Sequence, residues 1–536
     1  MSRAKPLISA CMIVKDEQDN LDRCLRSLAG SVDEVIVVDT GSTDGTPEIA
    51  RSHGTRLVST TWRDDFAVAR NESIGHARGS WLLWIDADEE LVEETPGALR
   101  RLCEEDGETD GYLLFCRNVV TENGEIGTAI KQWRLFRNQA DLRFVGRIHE
   151  NLRFAGGRVV NLHYQEQAWV RHWGYIRESK RLAAKRARNS RLIALALAET
   201  PDDPFLNYYA GRERSAEQEF APALEALGRA VELWRSEGCP SSAYVPNMLA
   251  LAMNAAVEGG QHERAVELEA LVPAALVSSD ILFQGGLAHW RLGDIDGAAE
   301  RFNRAWQDAT VREGLEVDPT SSTWRPLSAL AQMRLEAGDP AAAYALAKQA
   351  QAHEPRLPNL LLALAITSSK LAAHQESIAW ARQILGLEDH EHYKRQARRL
   401  MVNIGQESGD YALIAEALVG EAEGLHGVDA VLMRAEALAR LGDIQAQYDE
   451  LSAGCQRFPD DVRVRLAAAE LLETQGFTAQ ALEVLGGGLD QPQPSPELYQ
   501  RLAVLLAKAG RLEDAANALA LLEHAREPAA APTTHT

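Results

Sequence analysis

Two acidic stretches and one arginine have residue types and spacing suited to chemistry. In Trp81-Leu82-Leu83-Trp84-Ile85-Asp86-Ala87-Asp88-Glu89-Glu90 an apolar run ends in Asp-x-Asp and further acid. If the backbone there is extended, alternation points Asp86 and Asp88 to the same side. Two carboxylates so placed repel unless a cation sits between them. Hard divalent ions, Mg²⁺ or Mn²⁺, prefer oxygen ligands and bridge to phosphates. The plainer reading is an acid cluster at a helix N-terminus. The second stretch, Val35-Ile36-Val37-Val38-Asp39, runs into the loop Thr40-Gly41-Ser42-Thr43-Asp44-Gly45 and then into a helix pattern. Asp39 can accept a hydrogen bond from a base N–H or a ribose hydroxyl, or it can cap its own turn. The arginine is Arg70, in Asp64-Asp65-Phe66-Ala67-Val68-Ala69-Arg70-Asn71. It suits a base or phosphate contact, with an Arg–Asp surface pair as the alternative. The loop after Asp39 is neither a G-x-G-x-x-G nor a G-x-x-x-x-G-K-[ST] sequence. His149-Glu150 is not a zinc-protease motif, because position 153 is Arg.

The elements that must position these residues fall into two grammars. From residue 7 to about 160, short apolar runs at Leu7–Val14, Glu34–Val38, Thr55–Ser59, Trp81–Ile85 and Tyr112–Cys116 alternate with helix patterns near 18–29, 46–53, 66–78 and 94–105. Apolar strands of this length suit a parallel sheet covered on both faces. The alternation predicts a doubly wound α/β domain whose ligands bind beyond the carboxyl ends of the strands. One helix is well punctuated, with Thr46 as N-cap, Pro47 at the first position and Gly54 past the end.

After about residue 175 the strand signal stops and a 34-residue period begins, with units starting at Trp324, Pro358, Val428, Val462 and Pro496. Small residues recur at fixed places: Ala331, Ala343 and Ala350, then Ala365 and Ser377, then Ala435, Ala469, Ala481, Ala503 and Ala515. Gly211, Ala223 and Ala230, and Gly286, Ala298 and Ala305, fit the same frame, whereas 240–273 and 390–425 fit it least clearly. This period resembles the tetratricopeptide repeat, in which small residues stand where the paired helices cross closely. About seven to nine repeats are expected.

The chain therefore divides into an α/β domain over 1–175, a basic helical linker over 176–204, a repeat superhelix over 205–525 and a disordered tail over 526–536. The linker region carries Arg171, Arg177, Lys180, Arg181, Lys185, Arg186, Arg188 and Arg191, either as a solvated helix face or as a source of charge for a pyrophosphate at the domain junction. A net charge of −22 over 536 residues argues against a general nucleic-acid binder. The six cysteines form no CxxC pair and read as reduced, mostly buried thiols of a cytoplasmic protein. No apolar run approaches the ~20 residues of a membrane span, and no signal-peptide pattern follows Met1–Pro6.

Met12-Ile13-Val14-Lys15-Asp16-Glu17, Val38-Asp39 with its Gly/Ser/Thr loop, Phe66-Ala67-Val68-Ala69-Arg70-Asn71 and Ile85-Asp86-Ala87-Asp88-Glu89 together resemble the successive signatures of family 2 glycosyltransferases, which have the GT-A fold. Trp133-Arg134-Leu135-Phe136-Arg137, Gly146-Arg147-Ile148-His149-Glu150 and His172-Trp173-Gly174-Tyr175 resemble the subgroup that includes β-glucosyltransferases, peptide S-glycosyltransferases and repeat-fused enzymes. The resemblance implies a Rossmann-like, mostly parallel sheet and transfer of a hexose or N-acetylhexosamine from a nucleoside diphosphate sugar, most often UDP-linked, with inversion. It implies Asp39 facing the base, with Lys15, Glu17, Arg70 and Asp86 also at the donor. Asp88 would ligate Mn²⁺ or Mg²⁺, with Asp86 and His172 completing the metal or pyrophosphate site. Inversion needs a general base. Glu150 is the first candidate and His149 the second, while His163 reads as structural. A repeat groove fused to a transferase suits a protein or peptide acceptor, a homodimer or a scaffold, and Arg334, Asn303 and Gln332 are candidate groove residues. The competing readings are a cell-envelope saccharide or lipid acceptor, a scaffold carrying an inactive transferase domain, and a nucleotidyltransferase. The last would want a glycine-rich loop after the first strand, where Lys15-Asp16-Glu17 stands instead.

Overall fold

The computed structural model describes residues 5–105, 108–119, 125–173, 178–242, 244–307, 318–420, 427–489 and 495–526. It divides into two compact units, Met1–Asp318 and Pro319–Thr536. The residues Gly174, Tyr175 and Arg177 and the expected tail lie outside the described residues, apart from Arg526.

The first unit begins with strands β1 (Ile8–Val14), β2 (Glu34–Asp39), β3 (Arg56–Ser59) and β4 (Trp81–Trp84), separated by helices α1 (Leu21–Ser27), α2 (Thr46–Ser52) and α3 (Phe66–Gly75). Next come β5 (Glu89–Glu93), α4 (Ala98–Glu104), β6 (Gly111–Val119), β7 (Ile126–Arg137), the hairpin β8 (Leu142–Val145) and β9 (Asn151–Phe154), and β10 (Leu162–His172). The main sheet runs β3-β2-β1-β4-β7-β6-β10-β5, and the hairpin forms a separate pair. β3, β2, β1 and β4 are mutually parallel, β7 is antiparallel to both neighbours, and β10 is parallel to β6 but antiparallel to β5.

Alternation explains why this sheet is covered twice. Ile8, Ala10, Met12 and Val14 of β1 join Leu21, Leu25, Leu28 and Leu99 in one core. Cys11 faces the other way, with Ile36, Val38, Ala67, Ile74 and Phe136 and the hairpin residues Phe144 and Leu152. The start of α2 differs from expectation. Thr46 lies inside the first turn after Gly45, and Asp44 Oδ1 accepts from its amide at 3.0 Å. The short acidic side chain of Asp44 satisfies the first turn, which frees the Thr46 hydroxyl to accept from the Glu17 amide at 2.8 Å.

Beyond the sheet lie α5 (Glu178–Glu199), α6 (Pro204–Ala216) and α7 (Phe220–Ser236), then the helix pairs Val245–Glu258 with His262–Ala270 and Ser279–Arg291 with Ile295–Gln307. In the second unit Trp324, Pro358, Val428, Val462 and Pro496 each open a helix, as the 34-residue frame requires. Ala331, Ala343, Ala350, Ala365, Ser377 and Ala481 are buried at the crossings. The two least regular stretches also form helix pairs, 245–270 and 391–417. The architecture is an α/β domain followed by an all-α tetratricopeptide-repeat array. Of the suggested groove residues, Gln332 bonds Glu336 at 3.0 Å and Asn303 bonds the Ala299 carbonyl at 2.8 Å, each within its own helix, and Arg334 is exposed.

Candidate active site

The carboxyl ends of β1, β2 and β4 bring the acidic stretches together. The loops after β1 and β2 are laced to each other. Asp16, at φ +53°, accepts from the Thr43 amide at 2.7 Å, and its own amide donates to Ser42 Oγ at 2.9 Å. Glu17 accepts from Asn20 Nδ2 at 2.8 Å, and Lys15 is exposed at the end of β1. Asp39 is buried, and its Oδ1 accepts from the Ser42 hydroxyl at 2.6 Å and the Ser42 amide at 2.9 Å. It caps its turn and ends the strand at once.

Asp86 and Asp88 are not on one extended edge. Residues 87–88 form a turn, closed by the Glu89 amide donating to the Asp86 carbonyl at 3.1 Å. This corrects the alternation argument, since strand period fails once the chain turns from β4 into β5. The two carboxylates accordingly meet different partners. Asp88 Oδ2 lies 3.2 Å from His172 Nε2, and His172 Nδ1 lies 2.8 Å from Asn118 Oδ1. Sheet register makes this meeting, because β10 sets His172 beside both Asn118 of β6 and Glu89 of β5. Burial works against the charge on Asp88, but the His172 contact outweighs it and lowers its pKa. Burial likewise opposes protonation of His172, and the bond to Asp88 outweighs it and raises its pKa.

Asp86 faces two buried guanidiniums. Arg70 Nη1 lies 3.5 Å from its Oδ1, Arg134 Nη1 lies 3.6 Å from its Oδ2, and Trp84 Nε1 donates to Oδ1 at 3.3 Å. Both arginines also sit against the Trp84 ring, at 3.6 Å and 4.4 Å from its centre, contacts worth about 0.5–2 kcal/mol each. Arg70 is thus buried, which sets aside a surface pair with its sequence neighbours. Asp64 instead binds Arg191 of α5 at 2.6 and 2.5 Å, and Asp65 caps α3 by accepting from Val68 at 2.9 Å.

Arg134 and Glu89, which the sequence reading quoted within motifs but gave no role, join the same cluster. Glu89 is 2% exposed and binds Arg134 Nη2 at 2.5 Å, the Asp86 amide at 2.8 Å and the Cys116 thiol at 3.6 Å. Burial pushes its carboxyl up, against the pull of Arg134. The available signal was a charged residue inside an otherwise apolar strand, Trp133-Arg134-Leu135-Phe136, because a buried charge must be paired.

Glu150 stands across Arg70, ion-paired with its Nε. It ends the turn of the β8–β9 hairpin, and that hairpin is docked from several sides. Asn71 exchanges two hydrogen bonds with the Phe144 backbone, at 2.8 and 2.9 Å. The Phe66 amide donates to the Arg147 carbonyl at 2.8 Å, and Ile148 packs on Leu192 and Ile193 of α5. His149 takes φ +52°, a left-handed conformation that costs a side-chain-bearing residue about 1–2 kcal/mol. Its ring stacks on Tyr209 of α6, with centres 3.4 Å apart and planes 13° from parallel. Burial, and then Arg212, hold the His149 pKa down to about 3, while burial pushes the Glu150 carboxyl up against the pull of Arg70.

These side chains line an open cavity of ≈ 540 Å³. Its charged wall is Arg70, Asp86, Arg134, Glu150 and Lys185, the last from the basic helix α5. Its apolar wall is Phe66, Phe144, Ile148, Phe205 and Tyr209. Asp39, Asp88 and His172 lie outside it. Among the described residues no group of three or more His, Cys, Asp and Glu is placed to hold a metal. Asp88 with His172 fits a hard cation that takes its remaining ligands from substrate phosphate and water, as Mg²⁺ usually does, and Asn118 supplies the second contact that orients a ligating histidine.

The family model "Glycosyl transferase family 2" matches residues 9–161. A TPR repeat-containing protein of Synechococcus elongatus is 32% identical over 366 residues, 66% of this chain and 77% of that protein. The SPbeta prophage-derived glycosyltransferase SunS of Bacillus subtilis is 25% identical over 240 residues, 43% of this chain and 54% of that protein. An uncharacterized glycosyltransferase of Rickettsia bellii is 35% identical over 108 residues, 20% of this chain and 36% of that protein. Fold and relatives agree: the chain belongs to the family 2 glycosyltransferases, in a form fused to tetratricopeptide repeats.

Proposed function

We propose that this glycosyltransferase moves a hexose or N-acetylhexosamine, with inversion, from a UDP-linked donor to a protein or peptide. The observation that carries the reading is the division of labour around Asp86. On one side lie the strand ends with Asp39, Lys15, Glu17 and the Asp88–His172 pair, arranged for a nucleoside diphosphate. On the other lies the cavity that holds Glu150. Asp39 faces the base, and Asp86 lies between ribose and sugar. Mn²⁺ or Mg²⁺ held by Asp88 and His172 would neutralise the leaving diphosphate.

Glu150 is the better base. A general base works best with a pKa near the operating pH. His149, held down to about 3, is neutral near pH 7 but too weakly basic, whereas Glu150 is shifted upward. Glu150 takes the acceptor proton as the acceptor attacks the anomeric carbon and the bond to the diphosphate breaks. When Glu150 takes the proton it ceases to balance Arg70, and Asp86 remains as the counter-charge of that guanidinium. The protein or peptide acceptor is supported by the repeat array, since stacked helix pairs build peptide-binding surfaces, and by an apolar cavity wall that includes Phe205 and Tyr209 of α6. Among the described residues no helix is long and apolar enough to cross a membrane. SunS, one of the relatives, is itself described as a glycosyltransferase.

The test is a panel of nucleotide sugars with manganese, read as released nucleoside diphosphate and as intact-mass shifts on the proteins encoded nearby. A hexose-sized mass shift on a polypeptide supports the reading. Sugar transfer to lipid or glycan only would refute the acceptor class and leave the donor class standing.

A further inference from the structure

The base and its turn are held partly by a residue that belongs, by sequence period, to the repeat array. Gly211, the small residue of the first repeat frame, lies on α6, and Tyr209 of the same helix stacks on His149. The neighbouring rings favour this placement. Phe205 meets Tyr209 edge-on at 4.7 Å, and the Arg212 guanidinium lies 4.6 Å from the Tyr209 ring centre. His149 is one residue before Glu150 and occupies a left-handed backbone conformation, so its ring orientation and the direction of the next side chain are set together. The Asn151 side chain closes the turn from the far side by donating to the His149 carbonyl at 3.2 Å.

We propose that Tyr209 is a positioning residue for the transfer reaction: by stacking on His149 it fixes the left-handed turn that aims Glu150 into the cavity beside Arg70. The first repeat helix is then part of the active site as well as the start of a binding array. His149 serves as a rigid spacer between the two and transfers no proton. The proposal rests on the reading of Glu150 as the base.

The consequence is kinetic. A loosened turn leaves alone the part of the donor site built by Asp39, Asp88 and His172, which lie outside the cavity, but it scatters the base. Misplacing a catalytic group by about 1 Å costs up to roughly 100-fold in rate. The experiment uses the full chain, manganese and the UDP-sugar that the wild type hydrolyses, with released UDP as readout. Tyr209→Ala lowers kcat by about ten-fold or more while the donor KM moves far less, and Tyr209→Phe, which keeps the stacking ring, restores kcat to within about three-fold. Glu150→Gln is run beside them and lowers kcat by about 100-fold or more. If Glu150→Gln loses turnover while Tyr209→Ala keeps it, the proposal is overturned and the base reading stands. If Glu150→Gln keeps turnover, the base reading falls, and the proposal falls with it. If kcat, KM and the unfolding temperature all worsen in Tyr209→Ala and Tyr209→Phe recovers none of them, Tyr209 is a packing residue and the proposal is overturned.

Discussion

His149 makes the geometry of the candidate site measurable through stability alone. Its folded pKa is held down to about 3 by burial and by Arg212, against about 6.5 in an unfolded chain. The folded protein therefore binds fewer protons than the unfolded one between those values. The stability contributed is fully present above pH 6.5 and is lost as the pH falls toward 3. At pH 5 the unfolded histidine is some 1.5 pH units into its charged range, and at 1.36 kcal/mol per unit the loss is about 2 kcal/mol relative to pH 7.5. Other groups titrate in this range, and His172, with its raised pKa, works in the opposite sense. The measurement is therefore a difference of differences. Wild type and His149→Asn are melted at pH 7.5 and pH 5. Asn tolerates a left-handed φ and removes the titrating ring, and its fixed packing defect cancels between the two pH values. The wild type should lose about 2 kcal/mol more than the variant on acidification, a few degrees in the transition of the first unit. Equal losses would mean that His149 titrates freely, that the Tyr209 stack does not bury it, and that the choice of Glu150 over His149 has lost its basis.

Asp88→Asn should abolish metal-dependent turnover of the donor sugar while leaving the unfolding temperature nearly unchanged, because Asp88 is partly exposed and its partner His172 keeps Asn118. Full activity in that variant refutes the metal role. Arg134→Met strands the buried Glu89 carboxylate and should cost about 3–5 kcal/mol, seen in denaturant melts of the first unit. Adding Glu89→Gln should restore part of it, and no recovery would mean that Arg134 matters through Asp86 alone. Gly211→Ala puts a methyl 2.4 Å from Leu227 Cγ and 3.0 Å from the Ala223 carbonyl, so it should destabilise by about 1–3 kcal/mol, and an unchanged melt would refute the close α6–α7 crossing.

What the sequence made legible follows from physical period. β1 to β4 were visible because strands buried on both faces are continuous apolar runs. The repeat helices were visible because a crossing that admits only small residues marks each unit. β7 and β10 were not, since Lys131, Gln132 and Arg134 on one, and Gln165, Glu166 and Gln167 on the other, break any apolar pattern. Those polar strands build much of the site: Arg134 reaches Asp86 from β7, and His172 reaches Asp88 from the end of β10. The Asp86–Asp88 turn was hidden for a related reason, since an acidic turn and an acidic strand end read alike until the antiparallel pairing of β5 is known.

The packing around the candidate site also runs past the strands. Strand grammar ends near residue 175, yet the cavity is closed by Lys185 of α5 and by Phe205 and Tyr209 of α6. The attachment is polar as well as apolar. Asp64 holds Arg191, Arg147 holds Glu199 at 3.0 Å, and Ile148 is buried under Leu192 and Ile193. A chain cut at 175 would strip Arg191 from Asp64 and Glu199 from Arg147 and uncover Ile148 and Phe66. The basic helix is therefore less a linker between two machines than the second wall of one. Its charge meets the α/β domain at Lys185, in the cavity wall, and at Arg191, on Asp64, and its apolar residues Leu192 and Ile193 hold the hairpin that carries Glu150. The hairpin that carries Glu150 is thus held between the sheet, the connecting helix α5 and α6, the first helix of the repeat frame, so a change in α6 reaches Glu150 through His149.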